Sequence, residues 1–175
     1  MKRLAVIFGL PGSGKTVVSD IIADRLGWLR YDMDSAIPEN VKSRIQEGGI
    51  NTEKERDETI NKMISDVEKL LEKNSVVLSC SLIKEKHRRL VKSRIPASIL
   101  VHLDVRQKEL EKRLDERKGH FFGAVSLRKL VKEAEPISIF HFSVNAERKP
   151  ALVADEIEKI IEKPPKGDSR RISAP

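Results

Sequence analysis

Residues 9–16 read Gly9-Leu10-Pro11-Gly12-Ser13-Gly14-Lys15-Thr16 and satisfy G-x-x-x-x-G-K-[ST] in full. Glycines at these positions let consecutive backbone N–H groups turn toward an anion. A helix opening at Lys15 adds the partial positive charge of its N-terminus. Lys15 can then reach the β- and γ-phosphates of a nucleoside triphosphate, and Thr16 can give an oxygen to Mg²⁺. A second constellation, "YDMDSAIPEN" at 31–40, holds Asp32 and Asp34 two positions apart. On an extended segment such a pair faces one way. Turns and helix caps also use Asp in this manner. Beside a phosphate cradle the two carboxylates can divide two tasks. Asp32 suits the Mg²⁺ shell, through water, and Asp34 suits the acceptor hydroxyl as the group that positions it or takes its proton. Arg113 and Arg117 lie one helical turn apart and share a face. They can serve surface pairs with Glu109 and Glu111, or bring guanidinium groups to charge that shifts during phosphoryl transfer.

These residues need elements to hold them. "RLAVIFG" (3–9) reads as a buried strand leading into the cradle, and Lys15 to Leu26 as a helix stopped by Gly27. "WLRYD" is a short strand. Thr52 and Glu55 form a T-x-x-E capping box ahead of Ile60, Met63, Ile64, Val67, Leu70 and Leu71 at helical spacing. "SVVLSCS" (75–81), "ASILVHLDV" (97–105) and "PISIFHFSV" (136–144) are further strands. Helices are expected at 84–94, 107–118 and 151–162, the last with Leu152, Val153, Ile157, Ile160 and Ile161 inward. Asp104 could pass for a Walker B acid, but its place three before Gln107 reads as an N-cap. Strands alternating with helices predict a parallel sheet, and continuous apolar strands predict a sheet covered on both faces. The expected fold is therefore a three-layer α/β/α domain. Ligands in such folds bind beyond the carboxyl ends of the strands, which places Gly9, Asp32, Ser81 and Asp104 at one rim.

The 175 residues suffice for one domain with a real core. A single cysteine, Cys80, excludes an intramolecular disulfide, and no apolar run is long enough to span a bilayer. The N-terminal apolar run reads as a strand and not as a signal peptide. A reducing cytoplasm is the expected setting. The net charge is +7, and "KEKHRRLVKSR" (84–94) carries much of the excess. That helix reads as a solvated basic face with His87 in water, or as a patch for anionic partners. Few aromatic residues accompany it, so nucleic acid is not the expected partner. His102 and His141 read as core or sheet-face residues within strands. No N/T-K-x-D motif points to a GTPase.

Three stretches together resemble the gluconate kinase family of small P-loop kinases, which is related to shikimate and adenylate kinases. "SCSLIKEKHRRL" (79–90) resembles the family's C-S-A-L-K-x-x-Y-R-D through Cys80, Ser81, Lys84 and Arg88. "LVHLDVRQKELEKRLDERKGHFF" (100–122) resembles its R-L-x-x-R-x-G-H-F lid through Arg113, Leu114, Arg117, Gly119, His120 and Phe121. Glu135-Pro136 resembles the lid's far end. The resemblance implies transfer of the γ-phosphoryl of ATP to the 6-hydroxyl of D-gluconate, with Mg²⁺, in an enzyme that is often a homodimer. It implies one kinase domain over 1–163, a helical substrate-binding segment over 35–74 and a lid over 113–136; the Pro-broken, polar tail over 164–175 reads as disordered from its composition. Lys15, Asp34 and Arg117 are the expected catalytic groups. Residues 9–16 with Arg113 and Arg117 would hold ATP. Asp34, Arg56, Lys84 and His120 would meet the acceptor, and Thr16 and Asp32 the metal.

The chain also differs from the family pattern. Ile37 stands for the His of D-x-D-x-x-H-P, Glu58-Thr59 for a Pro-Trp pair, and "KLVK" for the lid's S-Q-F-E. All three differences fall on the acceptor side. Another polyol, sugar acid or nucleotide as acceptor therefore stays open, as does a non-catalytic nucleotide-dependent protein with an RNA-binding or regulatory role.

Overall fold

The computed structural model describes residues 2–116 and 123–163. Strands β1 (Leu4–Phe8), β2 (Leu29–Asp32), β3 (Val76–Cys80), β4 (Ile99–Asp104) and β5 (Phe142–Asn145) form one sheet in the order β2-β3-β1-β4-β5. Every neighbouring pair is parallel. Helices α1 (Lys15–Leu26), α2 (Glu39–Gln46), α3 (Glu53–Leu71), α4 (Glu85–Arg94), α5 (Gln107–Glu116), α6 (Ala124–Glu133) and α7 (Pro150–Glu162) complete it.

The strand pleat sorts the core into two layers. Leu4, Val6 and Phe8 of β1 pack with Ile60, Met63, Ile64 and Val67 of α3 and with Val91 of α4. Ala5 and Ile7 point the other way, onto Val18 and Ile22 of α1 and Val153, Ile157 and Ile161 of α7. This is the three-layer arrangement that continuous apolar strands require. The capping box forms as expected: Thr52 accepts from the Glu55 N–H while the Glu55 carboxylate accepts from the Thr52 N–H. Gly27 ends α1 in the left-handed region.

Several local expectations are corrected. The last strand is shorter, because the chain before it turns aside to feed Arg88. Arg88 is 1 % exposed and donates to the carbonyls of Leu82, Glu135 and Pro136 and to the Glu85 carboxylate. Segment 136–141 thus serves as a side-chain-bonded loop, and His141 sits just before β5 rather than within it. The basic helix α4 is not simply a solvated face. His87 is buried, and its ring hydrogen-bonds Asp57 of α3 at 2.6 Å. Lys86 pairs with Glu53 and Asp57, and Arg94 with Glu68. Asp104 is no N-cap: it ends β4, and Arg106 holds the position before α5. Leu152 is exposed, and Ala154 takes the inward place. Helix α6 and the leucine cluster Leu110, Leu114 and Leu127 joining it to α5 had no clear sequence signal.

Candidate active site

The parallel order puts the carboxyl ends of β1, β3 and β2 side by side, and the chemistry-bearing residues follow these ends. The loop after β1 has Gly12 at φ 86° and Gly14 at φ 91°, in the region where a side chain is strained. A Cβ on Gly12 would also stand 3.1 Å from the Leu110 carbonyl oxygen and 3.2 Å from Leu114 Cγ. This close approach seats the loop on α5. Lys15 Nζ donates to the Leu10 carbonyl at 2.9 Å, which folds its side chain back along the loop. Ser13 is buried, and its hydroxyl finds no protein partner.

The Asp-x-Asp pair is built differently from the extended geometry expected. Asp32 is the last residue of β2, whereas Asp34 lies in a 3-10 turn over Met33–Ala36. Asp32 caps that turn: its Oδ1 accepts from the Asp34 N–H at 3.0 Å. Its Oδ2 accepts from Arg30 at 2.7 Å and from the Thr16 hydroxyl at 3.3 Å. Met33 between them is buried. Both aspartates still line one cleft.

That cleft has a volume of about 310 Å³. Pro11, Gly12, Gly14, Lys15, Thr16, Asp32, Asp34, Arg56 and Arg113 of the expected site line it together. Gly9, Leu10 and Ser13 belong to the same loop but stand behind its lining. Arg113 pairs with Glu109 at 2.9 Å and donates to the Ala146 carbonyl at 3.1 Å. Arg56 is nine-tenths buried and donates to Glu133 and to the Asn51 carbonyl. Lys84 is not on this cleft; it pairs with Glu135 at 3.2 Å and lines an adjoining cavity that shares Arg56. Arg117 and His120 lie outside the described residues. Burial pushes the Cys80 thiol well up, so it is an inert wall of the cleft and no nucleophile.

Ile37 and Leu130 of the lining stand in segments already singled out, whereas sequence reasoning missed the apolar Ile45, Ile50 and Ile83 and the polar Asn51. No motif marks them, since apolar residues at helical spacing signal core first. Ser79 is also on this wall, buried, with its hydroxyl unpartnered.

The residues present fit a nucleotide and its metal. Gly12 and Gly14 hold the positive φ that turns backbone N–H groups of the loop toward an anion. Thr16 and Asp32 offer hard oxygens within 3.3 Å of each other. Among the described residues no group of three or more His, Cys, Asp or Glu side chains could hold an ion by itself. Mg²⁺ asks for less, because it keeps several waters and takes oxygens from phosphates.

A parallel sheet in this order, a phosphate-binding loop after β1 and a carboxylate pair after β2 define a P-loop kinase. The shikimate kinase family model matches residues 11–162, and the chain belongs to that family. A probable gluconokinase of Xenopus tropicalis is 30 % identical over 174 residues, covering 89 % of this chain and 91 % of that one. The gluconokinase of Gluconobacter oxydans is 27 % identical, covering 89 % of each. The crystal structure of a gluconokinase from Sinorhizobium meliloti superposes with a TM-score of 0.76 at 25 % identity, over 88 % of each chain. A shikimate kinase from Aquifex aeolicus shares the fold, with a TM-score of 0.59 at 24 % identity over 91 % of this chain and 96 % of that one. The chain is an ATP-dependent phosphotransferase acting on an alcohol group. Among the described residues no helix is long and apolar enough to cross a membrane.

Proposed function

We propose that this enzyme transfers the γ-phosphoryl group of ATP to the 6-hydroxyl of D-gluconate. The observation that carries the reading is Arg56. A guanidinium nine-tenths buried in the same cleft as Lys15 and Asp34 suits an acceptor that bears a carboxylate at one end and a hydroxyl at the other. The names of the relatives point to the same acceptor.

Lys15 neutralises charge on the β- and γ-phosphates, and the backbone of residues 9–16 orients them. Asp34 holds the acceptor hydroxyl in line and takes its proton. Arg113 and Arg117 bring positive charge as it shifts toward the leaving phosphate. Thr16 and Asp32 would hold Mg²⁺, which when bound supplies charge neutralisation between the phosphates. Residues 35–74 act as the acceptor-binding segment, with Arg56 as the clamp, and residues 113–136 act as the lid. His120 completes the acceptor side, and Lys84 meets the acceptor only from the adjoining cavity that shares Arg56.

A second reading keeps the reaction and changes the acceptor. It draws on the apolar lining, where Ile37 stands in place of a hydrogen-bonding residue. A site that leaves substrate hydroxyls unmatched discriminates poorly in favour of a polyol chain. The RNA-binding reading loses its main support. Arg88 and His87 of the basic helix are buried, and Lys86, Arg89 and Arg94 are paired with carboxylates. A coupled ADP-release screen over sugar acids, neutral polyols, shikimate and nucleoside monophosphates tests the proposal. Gluconate is expected to give the highest kcat/KM. High turnover of another acceptor with none of gluconate would sink the gluconate assignment and favour the second reading.

A further inference from the structure

Arg56 does not wait for the acceptor with an open fork. Its Nη2 donates to Glu133 Oε2 at 2.8 Å and to the Asn51 carbonyl at 3.2 Å. A guanidinium nitrogen of this kind carries two hydrogens, so both are engaged. The guanidinium offers a carboxylate two bidentate faces, one from Nε with Nη2 and one from Nη1 with Nη2. Both need Nη2. A substrate carboxylate therefore cannot form either fork while the two bonds stand.

We propose that Glu133 is an internal competitor for the acceptor's carboxylate, and that acceptor binding exchanges Glu133 for substrate on Arg56. The inference rests on Arg56 being the acceptor clamp. Glu133 is the more dispensable of the two partners. It is 36 % exposed at its side chain, whereas the Asn51 bond comes from backbone. The way out is built. Arg56 and Glu133 both line the second cavity, of about 350 Å³, and Lys84 stands on its wall as an alternative cation.

The exchange also leaves the fold intact. Glu133 is the last residue of α6, and the chain just beyond it is tied down independently. The Glu135 N–H donates to the Ile83 carbonyl at 2.8 Å, and the Glu135 and Pro136 carbonyls accept from buried Arg88. At its other end α6 holds the acceptor-binding segment through Ser126 to the Ile45 carbonyl and Lys129 to the Gly48 carbonyl. The Glu133 side chain can swing while those contacts persist. A neutral polyol has no charge with which to displace it. Glu133 thus sets how much affinity an acceptor gains from carrying a carboxylate.

The test compares wild type with Glu133→Gln and Glu133→Ala, using D-gluconate and its neutral counterpart D-glucitol, each as acceptor or as competitive inhibitor. Both variants are expected to lower the KM for gluconate about three- to tenfold with kcat not reduced, and to leave the constant for glucitol unchanged. A purely structural role for the Arg56–Glu133 pair predicts the opposite sign, with KM raised for both compounds. An unchanged or raised KM for gluconate overturns the proposal and leaves the function standing. Absence of turnover with gluconate and with every other carboxylate acceptor, in all three enzymes, overturns both.

Discussion

At the scale of single residues, Asp32 and Asp34 separate cleanly. Asp32 is a structural keystone as well as a candidate metal group, since it caps the 3-10 turn and accepts from Arg30 and Thr16. Asp34 lies inside the turn that Asp32 caps and lines the cleft, and asparagine there keeps the size and hydrogen-bonding reach of the side chain while removing its charge. Asp34→Asn is therefore expected to lower kcat by roughly 10²-fold or more, as for lost general-base catalysis, with melting temperature and ATP affinity nearly unchanged. Asp32→Ala is expected to lose both activity and about 1 kcal/mol of stability, the usual scale of a lost cap. Steady-state kinetics with thermal melts on the two variants check this. A near-normal kcat for Asp34→Asn would remove the catalytic assignment. The sequence made both residues visible, but it placed them on an extended strand. Two Asp residues separated by one apolar residue do not reveal whether the chain continues extended or turns, and here burial of Met33 and the Asp32 cap select the turn.

At the scale of elements, the sequence was most legible where one force dominates. The helix after the cradle, the capping box and the strands β1, β3 and β4 follow from continuous apolar runs, strong periodicity or an unambiguous cap. Helix α4 was legible as a helix and misread as a face. Six basic side chains in eleven residues look solvated, yet Arg88 satisfies the Leu82 carbonyl and two carbonyls, of Glu135 and Pro136, that the loop before β5 leaves open. A buried arginine's partners are distant in sequence, so charge counting cannot find them. His87 on the same helix gives a pH test. Burial pushes its pKa down, and its Nδ1 is buried without a partner, so the neutral ring with Nε2–H donating to Asp57 is the folded form. His102 behaves alike, held by burial at about 4. An unfolded histidine titrates near 6.5. Below that value the unfolded chain binds protons that the folded chain refuses, so stability is full above pH 6.5 and falls as pH drops toward 4. His102 alone contributes a loss of roughly 2 kcal/mol by pH 5. Urea unfolding at pH 7 and pH 5 is expected to show it, with a smaller loss in His102→Asn and in His87→Gln. Paired carboxylates such as Glu55, at about 2, titrate at lower pH and do not mask this window. Equal stability at the two pH values would contradict the buried-neutral assignment.

At the scale of the whole molecule, two layers of helices hold a parallel sheet whose carboxyl edge carries the glycine loop, and α2, the turn after it and α6 cover that edge. The nucleotide half was legible as a motif because backbone geometry and a lysine are demanded at fixed spacing. The rest of the cleft was legible only at Asp34, Arg56 and Ile37, because the apolar residues of α2, α6 and two loops are brought together only in the fold. The proposed reaction moves the γ-phosphoryl of ATP held on this loop to a sugar-acid hydroxyl. The most direct measurement is ³¹P NMR of ATP and D-gluconate incubated with the wild-type enzyme and with Lys15→Ala. The account predicts one phosphate monoester on the primary hydroxyl, formed in equal amount with ADP by the wild type. It predicts less than about a tenth of that rate for Lys15→Ala, a loss above ~1.4 kcal/mol in the barrier. ADP accompanied only by inorganic phosphate, or a Lys15→Ala enzyme that keeps its rate, would contradict it.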